Sequence, residues 1–390
     1  MIPSPASLIH QEIDRNGAIP FRRFMELALY APGTGYYAGG AARVGCAGDF
    51  VTSVSVGPLF GRLLAAEFEA MWRLLGQPER FTVVEEGANR GDFARDVLGA
   101  ASPEWSAALE YRIIEPFPAL EAQQREQLHP WAEAGRVRWC RSPEELAPFC
   151  GVHFSNELAD ALPVHRVVRH GEGWQEEWVG KDAAGRLIRE DGPLSTPELA
   201  QAVARLPSPA LPEGYRTEIS LAAPAWLRTL APRLERGYLL VADYGFSRED
   251  YYLPQRTEGT LSAYYRQRRE SDPLARPGEQ DLTAHVEFTT LAQTGLECGL
   301  DLLGYGDQHH YLVGLGRLAF PDGAPTPERQ RDLRAFATLM HPSLMGRGFR
   351  FLGLGRGAPA GLPGFAMTSC PYRALGLPLP VCETETPGRK

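Results

Sequence analysis

Glu85, Gly87, Asn89 and Gly91 are spaced E-x-G-x-N-x-G inside the stretch Phe81-Thr82-Val83-Val84-Glu85-Glu86-Gly87-Ala88-Asn89-Arg90-Gly91-Asp92-Phe93. Glu115 ends the next apolar run, Tyr111-Arg112-Ile113-Ile114. The first stretch predicts a buried strand over 81–84, a glycine-punctuated turn and a helix carrying Phe93, Val97 and Leu98. The second predicts the neighbouring strand, tipped by a carboxylate. At the carboxyl end of a parallel strand the chain must turn sharply, and a glycine there lets a ligand approach the backbone. An acid at the tip of the next strand can accept two hydrogen bonds from a ribose diol. Together these residues describe a nucleoside pocket.

A dinucleotide fingerprint needs G-x-G-x-x-G, with the pyrophosphate on the helix amino terminus. Here an acid precedes the loop, which would repel a pyrophosphate but suits a ligand carrying an amino group and a sulfonium. The spacing therefore favours S-adenosylmethionine (SAM) over NAD. A second polar group follows the apolar run Val152-His153-Phe154, where Asn156, Glu157 and Asp160 fall. Open α/β sheets place their ligands at such strand ends; a plain helix cap by Asn156 is the other reading.

The elements that must position these residues follow from the pattern. Ser7–Asn16 and Phe21–Tyr30 read as short helices, closed by Gly17 and by Pro32-Gly33. The loop that follows is rich in glycine, aromatic and hydroxyl residues and includes Asp49 and Thr52; it is expected to fold over a ligand. A helix opened by Gly57-Pro58 carries apolar residues at helical spacing from Phe60 to Leu75. A helix over Pro118–Leu128 and a strand over Arg136–Cys140 come next. Residues 164–190 predict a small antiparallel insertion, and 194–214 a proline-rich surface loop. A helix over Pro224–Glu235, closed at Gly237, precedes a strand over Tyr238–Ala242. The tyrosine- and arginine-rich segment 246–290 reads as a substrate lid, or as a structural helical insertion. No regular structure is expected beyond Gly357.

The chain has 390 residues and a net charge of −8. That length supports a full core, and interspersed charges argue against nucleic-acid binding, which would call for a basic face. Six cysteines without C-x-x-C or metal-ligand spacing read as free thiols in a reducing compartment. No run approaches the roughly 20 apolar residues of a spanning helix, and Met1-Ile2-Pro3-Ser4 opens no basic-then-apolar leader. The expectation is a cytoplasmic protein with no membrane insertion and no metal.

Several further motifs occur in series: Phe24-Met25-Glu26-Leu27-Ala28-Leu29-Tyr30, Gly35-Tyr36-Tyr37, Gly48-Asp49-Phe50, Asn156-Glu157-x-x-Asp160-Ala161-Leu162-Pro163, Asp243-Tyr244-Gly245, Gly259-Thr260-Leu261 and Asp281-x-Thr283. With them the chain, from about residue 18 to about residue 355, resembles the MidA family of SAM-dependent methyltransferases. The resemblance implies a Rossmann-like α/β domain of seven strands with an N-terminal helical segment, a small antiparallel insertion and a helical lid. The expected divisions are 1–56 over the cofactor site, 57–356 as the methyltransferase domain (insertion 164–215, lid 246–290), and 357–390 as a Pro/Gly-rich tail. It also implies SAM held by Glu85, Gly87, Asn89, Gly91 and Glu115, with Asp49 and Thr52 nearby. Asn156, Glu157 and Asp160 would face an acceptor, with protein arginine foremost, and mitochondrial members modify a respiratory complex I subunit. The sequence departs from the family at Asn89, a glycine elsewhere, at Glu287, and in the Arg266–Arg269 run. Two other readings stay open: a SAM-binding assembly factor that works by contact, and a small-molecule methyltransferase.

Overall fold

A computed structural model describes residues 2–39, 53–207, 210–266, 268–319, 326–341 and 346–380. Asp49 and Thr52 lie outside the described residues, so their expected place over the cofactor cannot be compared with it.

The centre is a twisted sheet of seven strands. We number them β1 (Phe81–Glu86), β2 (Leu109–Ile114), β3 (Val137–Cys140), β4 (Phe149–Asn156), β5 (Leu234–Phe246), β6 (Asp301–Asp307) and β7 (Phe349–Arg356). Their spatial order is β3-β2-β1-β4-β5-β7-β6, with the two-residue strand Val286–Glu287 added beside β5. β1 to β5 pair in parallel, and β7 runs antiparallel to both its neighbours. The strand order reverses between β1 and β4, so their carboxyl ends open a crevice where such sheets hold ligands.

Two apolar layers cover the sheet. The helix Leu59–Leu74 buries Phe60, Leu63, Leu64, Phe68 and Met71 against one face, together with Phe93 and Val97 of the helix Asp92–Ala100. The helices Ala222–Leu230 and Phe288–Glu297 bury Leu227, Leu230, Phe288 and Leu291 on the other. At roughly 1.5–3 kcal/mol per large buried side chain, these layers supply most of the driving force for the fold.

One boundary differs from the sequence reading for a steric reason. The helix over 224–235 stops at Leu230, and β5 begins at Leu234. Gly237 lies inside the strand, at φ +135°, opposite Gly151 of β4 at φ +153°. A Cβ on Gly237 would come within 1.9 Å of the Gly151 carbonyl oxygen, and one on Gly151 within 1.9 Å of the Thr82 oxygen. The glycine therefore permits close strand approach and closes no helix.

The additions outside the sheet also differ in part. The insertion forms an antiparallel sheet of 165–170, 173–181, 187–192 and 216–219, as expected, but it also recruits Ile19–Pro20 from the N-terminal segment. The stretch read as a loop over 194–214 contains the helix Pro197–Val203, which starts on a Thr196 cap accepting from the Leu199 N–H at 3.1 Å; Thr-Pro-Glu was a legible start signal. Apart from the short helix Arg248–Tyr251 and the start of the helix Phe288–Glu297, the described part of the lid is not helical. It carries a three-stranded sheet of 262–265, 268–270 and 281–283, because aromatic Tyr264 and Tyr265 favour strand and Pro254, Pro273 and Pro277 interrupt helix. The described part of the tail, as far as Pro380, is strapped down. Phe365 sits over Gly304 and Gly353, where a Cβ would lie 2.2 and 2.5 Å from its ring, and the Gly364 N–H donates to buried Glu67.

Candidate cofactor and acceptor site

β1 delivers Glu85 and Glu86 to the turn at 87–91, where three residues take left-handed backbone: Gly87 (φ +83°), Asn89 (φ +47°) and Gly91 (φ +86°). Asparagine tolerates this region better than most residues, so Asn89 keeps the turn without the usual glycine. The turn walls a cavity of about 510 Å³, shared with Glu115, Phe117, Asn156, Glu157, Tyr30 and Tyr37. Gly91 is not on its wall; it caps the helix Asp92–Ala100, against Gln124 and Leu128.

The acids differ in their company. Glu85 is buried and accepts from the Tyr111 hydroxyl at 2.6 Å; burial pushes it up to about 8. Glu86 accepts from Trp226 Nε1 at 2.8 Å, with buried His153 at 3.4 Å. Glu115 accepts from the Phe117 N–H at 2.9 Å and from Gln124 Nε2 at 2.8 Å, and burial raises it to about 7. The same Gln124 nitrogen donates to the Asn89 carbonyl at 2.7 Å, so one buried side chain fixes the turn and the strand-tip acid together. Sequence reasoning missed Gln124; its only signal is its place one turn after Leu120.

At the end of β4 the chain turns through Glu157, held at φ +53°. Such a conformation costs a non-glycine residue of the order of 1 kcal/mol or more and persists only where the surroundings enforce it. Asn156 Nδ2 donates to Glu157 at 3.1 Å. Asp243, at the end of β5, accepts from the N–H groups of Ala159 (2.8 Å), Asp160 (3.3 Å) and Tyr244 (2.8 Å) and so pins the following turn. Burial, and then Asp160, hold the Glu157 carboxyl well above the usual range; burial and then Asp243 and Asp281 do the same for Asp160. Asp243 is pushed up to about 8, by burial and then by Glu157. Among the described residues no lysine or arginine forms an ion pair with Glu157, Asp160 or Asp243. Asp243 and Asp281 were visible in sequence only as motif letters without a role.

The donor set suits SAM. Among the described residues, Asn89 Oδ1 and Asn156 Oδ1 are buried without a hydrogen-bond partner, an arrangement that costs stability unless a ligand N–H arrives. Glu115 keeps lone pairs for a ribose diol, and Gly87 leaves the turn open. A larger cavity, of about 720 Å³, lies between the insertion sheet and the helices 222–230 and 288–297. It holds neither the glycine turn nor Glu115, and its Arg248 and Arg228 are paired with Glu287 and Glu297.

Sheet order, glycine turn and strand-tip acid define a Rossmann-like SAM-dependent methyltransferase. The comparisons agree. A family model described as "Putative S-adenosyl-L-methionine-dependent methyltransferase" matches residues 63–306, and the chain belongs to that family. It is similar to the Drosophila melanogaster "Protein arginine methyltransferase NDUFAF7 homolog, mitochondrial", with 29% identity over 90% of this chain and 84% of the relative. The human "Protein arginine methyltransferase NDUFAF7, mitochondrial" is 27% identical over 88% and 81%. A Burkholderia thailandensis protein solved with S-adenosyl-homocysteine superposes with a TM-score of 0.83 at 37% identity, over 93% of this chain and 94% of that one. The resemblance to the MidA family therefore holds, the chain is a SAM-dependent methyltransferase, and SAM is its cofactor.

The cytoplasmic expectation is corrected: these relatives are named as mitochondrial proteins, which points away from the cytoplasm. The start of the chain carried no physical information strong enough to decide the compartment. Among the described residues no helix is long and apolar enough to cross a membrane.

Proposed function

We propose that the chain transfers methyl groups from SAM to arginine in a protein substrate, with a respiratory complex I subunit as the first candidate. The observation that carries this reading is the group formed by buried Asp160 and Asp243 and half-buried Glu157, which abuts the cofactor cavity through Glu157 and has no cation of its own among the described residues. An uncompensated buried acid is costly. A guanidinium, charged at every working pH and carrying five N–H donors, would ionise these carboxyls and satisfy them together.

In this reading Glu115 takes the ribose, while Glu85, Gly87 and Asn89 surround the methionine end and Gly91 holds the turn. Asp49 and Thr52 are kept as cofactor-binding candidates, in a chain divided into 1–56, the catalytic domain 57–356 and the tail 357–390. SAM supplies the methyl carbon on a positively charged sulfur. Glu157 and Asp160, helped by Asn156, orient one guanidinium nitrogen in line with that carbon. As the new N–C bond forms and the S–C bond breaks, the nitrogen sheds a proton, which Glu157 is placed to receive. Positioning and a dry site supply most of the rate, so the protein needs no nucleophile of its own.

The test is transfer of isotope-labelled methyl from SAM to candidate mitochondrial proteins, followed by acid hydrolysis and separation of methylated amino acids. Label in methylarginine supports the reading. Label confined to lysine, to carboxyl groups or to small molecules refutes it.

A further inference from the structure

Two phenols from the N-terminal segment line the cofactor cavity, and each has its single hydrogen committed elsewhere. Tyr30, at the end of the helix Phe21–Tyr30, donates to the Ala161 carbonyl oxygen at 2.9 Å. Tyr37 donates to Asp281 Oδ1 at 2.7 Å. Both rings are on the cavity wall. They stack on one another at 5.6 Å, and Tyr30 stacks on Phe117, beside the ribose acid, at 6.3 Å.

The partners that hold these hydrogens are themselves fixed. Ala161 lies in the turn that carries Glu157 and Asp160, and Asp281 is buried in the lid strand 281–283. The lid is tied to the same turn by the Ala284 N–H, which donates to the Asp160 carbonyl at 2.9 Å. Burial, and the charges of Asp281 and Asp160, push both phenols far up; they keep their hydrogens at any working pH. A phenol has one donor and its oxygen also accepts. With the donor spent, only lone pairs remain for the cavity.

We propose that Tyr30 and Tyr37 select the methyl acceptor, forming a wall that can only accept hydrogen bonds and so takes the N–H groups of a guanidinium while disfavouring side chains that present an oxygen. The inference rests on the arginine reading and extends it from charge to hydrogen-bond direction. Asp281 is a positioning residue, acting through Tyr37. The two tyrosines also give the N-terminal segment a purpose beyond covering the cofactor.

The test uses the full chain saturated with S-adenosylhomocysteine, titrated calorimetrically with Gly-Arg-Gly and with Gly-citrulline-Gly. Citrulline keeps the shape of arginine but replaces one nitrogen by an accepting oxygen and removes the charge. The wild type should prefer arginine at least tenfold. Tyr30→Phe and Tyr37→Phe keep the ring and lose the oxygen; each should cut that preference about threefold or more, with S-adenosylhomocysteine affinity changed less than twofold. Asp281→Asn, whose amide can donate back to Tyr37 and turn the phenol hydrogen toward the cavity, should act in the same direction. An unchanged preference in both phenylalanine variants, with cofactor binding intact, overturns this inference alone. Parallel loss of cofactor affinity in both assigns the phenols to SAM and likewise overturns it. No preference in the wild type overturns it together with the arginine reading.

Discussion

The molecule buries carboxylates in two places and treats them in opposite ways. In the insertion sheet, Glu177 and Glu218 meet Arg166 at 2.9 and 3.4 Å, and Arg216 adds a contact to Glu177 at 3.1 Å. Glu218 accepts further from the Thr260 N–H at 2.7 Å, tying the insertion to the lid. Near the carboxyl ends of β4 and β5, buried Asp160 and Asp243 lie beside half-buried Glu157, with backbone N–H groups and an amide, and no cation among the described residues. The first cluster is complete within the fold. The second holds no cation among the described residues, and such a cluster beside a cavity suits a cationic ligand.

The difference can be broken from either side. Arg166→Ala should be the most damaging change to the fold, because it leaves buried Glu218 without a cation and buried Glu177 with only the more exposed Arg216 and Arg189; the expected loss is about 3–5 kcal/mol, read from denaturant unfolding. A loss below 1 kcal/mol would mean that the network is slack and the comparison has no energetic content. Glu157→Gln should lower methyl transfer by about a hundredfold or more, the range of a positioned acid–base group, while SAM affinity in calorimetry stays within about threefold. An unchanged rate would remove Glu157 from the chemistry.

The third expectation concerns pH. Burial pushes folded Glu85 and Asp243 up to about 8 and Glu115 up to about 7, against ordinary carboxylate values of about 4. Between about pH 4 and 8 the folded chain therefore holds protons that the unfolded chain has released. Stability from these groups is greatest at the acid end and falls as pH rises across that window. Unfolding of the ligand-free protein should show a decline of a few kcal/mol from pH 5 to 8. A flat or rising profile would contradict the burial of these acids.

Gly87→Val should weaken SAM binding by about tenfold or more. The new Cβ would sit 3.5 Å from Leu158 at φ +83°, a backbone region that branched residues avoid, and its methyls would project beside the turn that walls the cavity. Normal affinity would remove the turn from the cofactor site. The smallest effect sharpens the comparison most. Glu157→Gln should leave stability unchanged or raise it by about 1 kcal/mol, since it removes an acid from an uncompensated cluster, whereas the same change at Glu177 should destabilise.

Sequence alone determined the catalytic frame. Buried strands announce themselves by apolar runs, and the turn needs glycine or asparagine for its left-handed backbone, so the spacing from Glu85 to Gly91 and the acid at 115 were legible one after another. The helices Pro5–Asn16, Phe21–Tyr30 and Leu59–Leu74 were legible for the same local reason, their apolar period. Contacts between distant segments were not. Gln124 joins the glycine turn to Glu115, Tyr37 reaches Asp281 across 244 positions, and Gly237 serves Gly151 and not a helix end. Each depends on which side chains the sheet order brings together, and no local period records that. Only the tertiary structure decided that one acid cluster has its arginine and the other, among the described residues, has none. Charge balance inside a protein is a property of packed neighbours, while the sequence records only that the charges are present.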